Sequence, residues 1–316
     1  MYEQSILTLI RLRYSCRTYE EVPIDAGKRQ SLAEFAAARQ QGPLGAPVRF
    51  VLITATEEDR SALRGLGTYG IIRGATGFIL GAVQKGPKDM EDFGYRMEEI
   101  VLRATDLGLG TCWLGGTYTR SSFARKITLR EDEVLPAITA VGKIADRRSL
   151  VDRVIRSTLA QGDRRLPWER LFFDGDFNHP LREEAAGAYA MALKMVRLGP
   201  SASNKQPWRI VRDGAPLTPA EQSKPGASQT ASGPALRGDA KGDTWHFYVQ
   251  RTPGYPPTLG QSFVYGDLQR MDMGIAMCHW ELSADELGLK GEWVVEEPEI
   301  ARPDKRTEYI VSWVAQ

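Results

Sequence analysis

Apolar residues at Ile6, Leu9 and Ile10 recur at helical spacing and give way to a polar stretch over 13–21, so the chain opens with a short helix. A second helix is predicted after Asp25, whose carboxylate suits an N-cap; it buries Leu32, Phe35 and Ala36 and stops at Gly42-Pro43. Two short, β-branched runs, 47–55 (PVRFVLITA) and 77–83 (GFILGAV), read as buried strands. Helical periodicity returns over 93–107, with Met97, Ile100, Val101, Ala104 and Leu107 on one face, and Gly108 ends it. Residues 138–144 (ITAVGKI) form a closing strand.

The same order then repeats. A helix is predicted over 182–198, strands over 208–212 and 245–250, a helix over 274–287, and terminal strands over 292–296 and 309–314. The repetition is visible residue by residue. Residues 92–113 align without a gap on 272–293 and share nine of 22 positions, among them Asp92 with Asp272, Gly94 with Gly274 and Trp113 with Trp293. About one or two identities would arise from average composition. A second ungapped pair sets Arg13 on Arg170, Pro23 on Pro180 and Gly42-Pro43 on Gly199-Pro200. The chain is therefore a duplication, with halves at 1–155 and 156–316, and duplicated halves pack as the subunits of a dimer would. Each half has too few strand–helix alternations for a doubly wound sheet, so the fold class is α+β, a mixed sheet wrapped by helices. Residues 214–243, rich in Pro, Gly, Ser and Ala, break the pattern and read as a flexible insertion.

Composition narrows the function by exclusion. The 316 residues are 42% hydrophobic, enough for a large core, and 41 Lys and Arg face 40 Asp and Glu for a net charge of +1. Nothing in that balance calls for nucleic acid or an anionic membrane as partner. With neither a long apolar run nor a signal peptide, the expected location is the cytoplasm. Three separated cysteines (Cys16, Cys112, Cys278) fit reduced thiols, and His179, His246 and His279 lack metal-ligand spacing.

Three segments carry candidate chemistry. In Arg13-Tyr14-Ser15-Cys16-Arg17, two guanidinium groups flank a hydroxyl, a donor set that suits a phosphate, although the segment taken alone reads first as a solvated helix end. The loop Pro200-Ser201-Ala202-Ser203-Asn204-Lys205-Gln206-Pro207-Trp208 offers short polar side chains to a heteroaromatic edge or a ribityl chain. Its counterpart in the first half, Leu44-Gly45-Ala46, is shorter and has no hydrogen-bonding side chain. The third segment is Gly108-Leu109-Gly110-Thr111-Cys112-Trp113-Leu114-Gly115-Gly116.

Together these segments resemble the FMN-dependent nitroreductase family, in particular its internally duplicated single-chain "putative TM nitroreductase" branch. The resemblance implies a nitroreductase-like fold in which the halves form an intramolecular pseudo-dimer, the chain being a monomer, with FMN between them. By that resemblance Arg13, Tyr14, Ser15 and Arg17 meet the phosphate, helped by Arg147 or Arg148. Leu114, Gly115 and Gly116 run beside the flavin ring, where glycine permits close approach. Pro200, Ser201, Ala202, Ser203 and Asn204 come from the opposite half, and Gln206 braces their loop. The family's activity would use NAD(P)H to reduce the flavin and a small-molecule electron acceptor, a nitroaromatic or quinone, to reoxidise it in a ping-pong cycle, with no catalytic side chain of the protein. The rival reading is a non-catalytic flavin-binding or storage protein. Two departures stand out: Ala202 replaces a common serine, and 67–70 lacks the Asn and Lys that commonly contact the ring. Because the polar residues survive at Arg13, Ser15 and Arg17 in one half and at Ser201, Ser203 and Asn204 in the other, one site is expected. Its symmetry mate, joining Phe172 and Asp174 to Leu44, Gly45 and Ala46, is expected to be dead.

Overall fold

The structure is a computed structural model that describes residues 2–59, 61–145, 164–213, 243–253 and 266–316. The expected boundary between the halves, residues 214–242 of the insertion expected over 214–243, and Arg147 and Arg148 lie outside the described residues. The first half supplies α1 (Ile6–Leu12), α2 (Ala26–Ala37), β1 (Val48–Thr54), β2 (Gly77–Gln84), α3 (Asp89–Asp106), β3 (Gly110–Leu114), α4 (Arg120–Ile127), β4 (Glu133–Val134) and β5 (Ile138–Gly142). The second supplies β6 (Phe172–Asp174), β7 (Asp176–Pro180), α5 (Ala190–Leu198), β8 (Trp208–Asp213), β9 (Thr244–Gln250), α6 (Leu268–Glu286), β10 (Gly291–Val294) and β11 (Thr307–Ala315).

Two sheets result, ordered β1-β2-β5-β3 and β10-β11-β9-β8-β6-β7, with β4 pairing β2 beside the first path. Within each, the four corresponding strands are antiparallel and share one register. Arg49 faces Ala82 where Arg209 faces Tyr248. Leu80 faces Ile138 where His246 faces Ser312. Trp113 faces Thr139 where Trp293 faces Trp313. A one-residue slip would turn every side chain to the other face, so this agreement places equivalent residues on equivalent faces in both copies. The second sheet adds β6, parallel to β8, which makes it mixed.

Several element ends differ from the sequence expectation for local reasons. The helix predicted over 182–198 begins as α5 only at Ala190, because Gly187 takes a left-handed φ of 55° and splits it from a preceding 3₁₀ turn. Helix α6 starts at Leu268, well before the expected 274, because the Asp267 carboxylate accepts from the N–H of Gln269 (3.1 Å) and of Arg270 (3.2 Å). Asp25 caps α2 as expected, accepting from Gly27 (3.0 Å) and Lys28 (3.2 Å).

The halves interlock through their long helices. Ile6, Leu9 and Ile10 of α1 and Tyr95 and Leu102 of α3 join the core built mainly by the second half, while Met271 of α6 joins the core built by the first. Where α3 and α6 cross, a Cβ on Gly94 would strike the Met271 carbonyl, and one on Gly274 would strike the Glu91 carbonyl. The contact is reciprocal, as at the two-fold interface of a homodimer.

Candidate functional site

The loop after α5 holds three of the six non-glycine residues with positive φ among the described residues. Ser203, Asn204 and Gln206 all have left-handed φ angles, 49°, 55° and 50°. Each non-glycine residue held there costs about 1 kcal/mol, and such strain persists only when the surroundings over-determine it. The surroundings do so here. The Ser201 hydroxyl accepts from Gln206 N–H (2.9 Å), and the Gln206 side chain accepts from Leu166 N–H (2.9 Å) and donates to the Asn204 carbonyl (3.1 Å). Gln206 thus braces the loop, the role its place in the motif suggested. The Asn204 amide spans residues 164 and 165, donating to the Arg164 carbonyl (2.9 Å) and accepting from Arg165 Nη1 (3.0 Å). Ser203 is exposed, and Pro200, Ser201 and Ala202 are half-buried.

Asp272 anchors this loop from α6, accepting the Ala202 N–H with both carboxylate oxygens (3.0 and 3.2 Å). Asp92, its partner in the repeat, does the same in the first half, accepting from Leu44 N–H (2.7 Å) and Ala46 N–H (2.7 Å). Burial raises the carboxyl pKa of both: Asp272 well above its ordinary range and Asp92 to about 6, with the backbone donors acting the other way. The first-half loop is built differently around the same anchor. Gly45 supplies its left-handed position, and Leu44 packs against the second half's core.

The 13–17 segment leaves α1 as an extended chain along the edge of β3. Ser15 bridges Thr111 in parallel, and Cys16 N–H donates to the Thr111 carbonyl (2.8 Å). Extended chain has a period of two, so Arg13, Ser15 and Arg17 share one side while Cys16 is buried on the other. Tyr14 packs against the buried cluster to which Cys112 and Phe123 belong. The end of β3 then meets the second half: a Cβ on Gly115 would lie 2.5 Å from a Leu268 methyl, and Leu268 is one turn from Asp272 on α6. That turn brings the Leu114-Gly115-Gly116 strand end and the 200–206 loop to one place from opposite halves.

Beneath them lies a buried hub that the sequence reading missed. Glu98, fully buried, accepts from Trp113 Nε1 (2.8 Å) and pairs with His279 Nε2 (3.0 Å), while Arg13 Nε lies 3.7 Å away. The other His279 nitrogen donates to the Met195 carbonyl at the end of α5 (2.9 Å). One carboxylate therefore ties the 13–17 segment and β3 to two helices of the other half. Trp113 signalled this in sequence as a repeated identity; nothing marked Glu98 or His279. All three cysteines are buried. Among the described residues there is no cluster able to hold a metal ion and no helix long and apolar enough to cross a membrane.

The symmetry mate takes another form than expected. Residues 13–17 border β3, whereas Phe172 to Asp174 pair with β8, which corresponds to β1 at the opposite edge. Asp174 is bound to Arg212 Nε (2.9 Å).

The sequence profile described as "Putative TM nitroreductase" matches residues 5–284. The chain belongs to that nitroreductase family. Among solved structures, a "putative nitroreductase" from Thermotoga maritima MSB8 is 16% identical over 99% of this chain and 95% of its own, with a TM-score of 0.54. Such full-length likeness shows a shared fold. Shorter nitroreductases match about half of the chain: one in complex with FMN from Desulfovibrio desulfuricans is 24% identical over 48% of this chain and 95% of its own (TM-score 0.35). Another with bound FMN, from Bacteroides fragilis NCTC 9343, is 19% identical over 46% and 92% (TM-score 0.36). No curated protein matches the chain.

Proposed function

We propose that this nitroreductase-family chain holds one FMN between its halves and is an NAD(P)H-dependent oxidoreductase acting on nitroaromatic, quinone or similar acceptors. The observation that carries the reading is the convergence at the first turn of α6. There Gly115, whose Cβ position is taken by the Leu268 side chain, and the strained polar loop anchored by Asp272 come from opposite halves to neighbouring turns of one helix. The donor set fits the cofactor. Arg13, Ser15 and Arg17 share one side of an extended segment, as a phosphate requires, and the Leu114-Gly115-Gly116 backbone offers N–H groups without bulk. Pro200, Ser201, Ala202, Ser203 and Asn204 would face the flavin from the second half, with Arg147 or Arg148 adding to the phosphate contacts. When bound, FMN supplies the hydride and electron chemistry.

The chain's own residues then bind, orient and exclude. Glu98 holds Arg13 and Trp113 in one arrangement, so the phosphate arm and the ring-side strand keep a fixed separation. Asp272 and Gln206 hold the loop in a backbone form that its residues would not adopt alone. The test is anaerobic addition of NADPH or NADH to FMN-loaded protein, followed by a quinone. Bleaching of the yellow colour and its return supports the enzyme; a flavin that stays oxidised with both nucleotides refutes it and leaves a binding protein.

A further inference from the structure

Where β1 ends and β2 begins, the Ala55 N–H donates to the Thr76 carbonyl (2.9 Å), and both residues line a cleft of about 450 Å³. That volume is within the range of small-molecule sites. Three segments build it. Glu21 and Pro23 come from the chain that continues the 13–17 segment, Leu63 and Arg64 from the turns after β1, and Gly74, Ala75 and Thr76 from the lead-in to β2. The first segment holds the lead-in: Arg73 N–H donates to the Arg17 carbonyl (3.0 Å), and Tyr19 N–H to the Arg73 carbonyl (2.9 Å). Gly74 takes a left-handed φ of 73°, and a Cβ there would strike the Tyr19 carbonyl and lie 3.2 Å from Glu21 Cγ, so the glycine lets the Glu21 stem lie against the backbone.

Two opposite charges line this cleft without meeting. Among the described residues, neither the Glu21 carboxylate nor the Arg64 guanidinium has an ion-pair or hydrogen-bond partner. Their neighbours in sequence are already matched: Glu20 pairs with Lys143 (2.8 Å), and Asp59 accepts from the Ser61 hydroxyl (2.7 Å) and N–H (3.0 Å). Most of the remaining lining is apolar, from Pro23, Ala55, Leu63 and Ala75. Thr76 is the exception; it is 8% exposed, and its hydroxyl has no hydrogen-bond partner.

A simple anion entering the cleft would meet Glu21, and a simple cation would meet Arg64, whereas a molecule that carries both charges suits both. A guanidinium offers a carboxylate two parallel N–H groups, and a carboxylate accepts from an ammonium. We propose that the cleft binds a small zwitterion of the α-amino acid type with an aliphatic side chain, its carboxylate on Arg64, its ammonium on Glu21 and its side chain against Leu63 and Pro23. Both charged residues are exposed, so solvent screening keeps the affinity modest. The site uses no residue assigned to the flavin and does not rest on that assignment.

L-valine, titrated calorimetrically into the FMN-saturated full chain, tests this. Saturable binding of one molecule per chain is expected, with a Kd of about 1 mM. Isovalerate, which lacks the ammonium, and isobutylamine, which lacks the carboxylate, should each bind roughly tenfold more weakly or worse. Glu21→Gln and Arg64→Gln should each weaken L-valine binding by about the same factor while leaving melting temperature and FMN content at the wild-type values, because both side chains are exposed and unpaired. Absence of saturable L-valine binding, equal binding of either single-charge probe, or unchanged affinity in either variant would overturn the proposal.

Discussion

Gly94 and Gly274 occupy reciprocal positions at the seam between the halves, each pressed against a backbone carbonyl of the other's helix. Backbone carbonyls on packed helices cannot step aside as a flexible side chain can. Gly94→Ala and Gly274→Ala should therefore each cost about 1–3 kcal/mol by overpacking, more than Gly→Ala normally returns through helix propensity. Because both strain one seam, the double variant should depart from additivity. Urea unfolding of the single and double variants measures this; two neutral substitutions would show that the helices do not approach so closely.

The Asp92 carboxyl has a pKa of about 6 against an ordinary 3.8. In that window the folded protein binds more protons than the unfolded chain, so this group's contribution falls as pH rises from about 4 to 6. Asp272 shifts in the same direction. Asp92→Asn should flatten the slope of melting temperature against pH in that window. Asp272→Asn should do likewise and, by loosening the 200–206 loop, also weaken FMN retention, an effect that Asp92→Asn should not share.

Glu98→Ala would leave His279, Trp113 Nε1 and the neighbouring Arg13 charge without their buried acceptor, a loss of about 3–5 kcal/mol. Glu98→Gln keeps an oxygen toward Trp113 and should cost less. Equal thermal stability of wild type and Glu98→Ala would remove the hub from the account.

Arg17→Ala should reduce FMN affinity by ~1.5–3 kcal/mol through loss of a charge-assisted phosphate contact. Asp174→Ala, in β6 of the other sheet, should leave FMN content unchanged while lowering stability, because Arg212 loses its carboxylate. Flavin content and melting temperature measured on both variants separate the two effects.

The long helices and central strands were legible in sequence because their burial is periodic, and the duplication was legible because Asp92, Gly94 and Trp113 recur as Asp272, Gly274 and Trp293. What those identities do became clear only with coordinates: the aspartates anchor loops and the glycines form the seam. Strand β6 escaped notice because three residues acquire strand character only by pairing with the distant β8. Strand β3 was hidden in the glycine-rich motif over 108–116, and helix α4 has only eight residues, too few for a clear period. Glu98 and His279 lie far apart in sequence, which hid their pairing.

The central claim is one flavin site shared by two unequal halves. Its most direct test is the amount of FMN released on denaturing the purified, FMN-saturated protein, measured against chain concentration. One FMN per chain is expected; two per chain, or none after saturation, would contradict it.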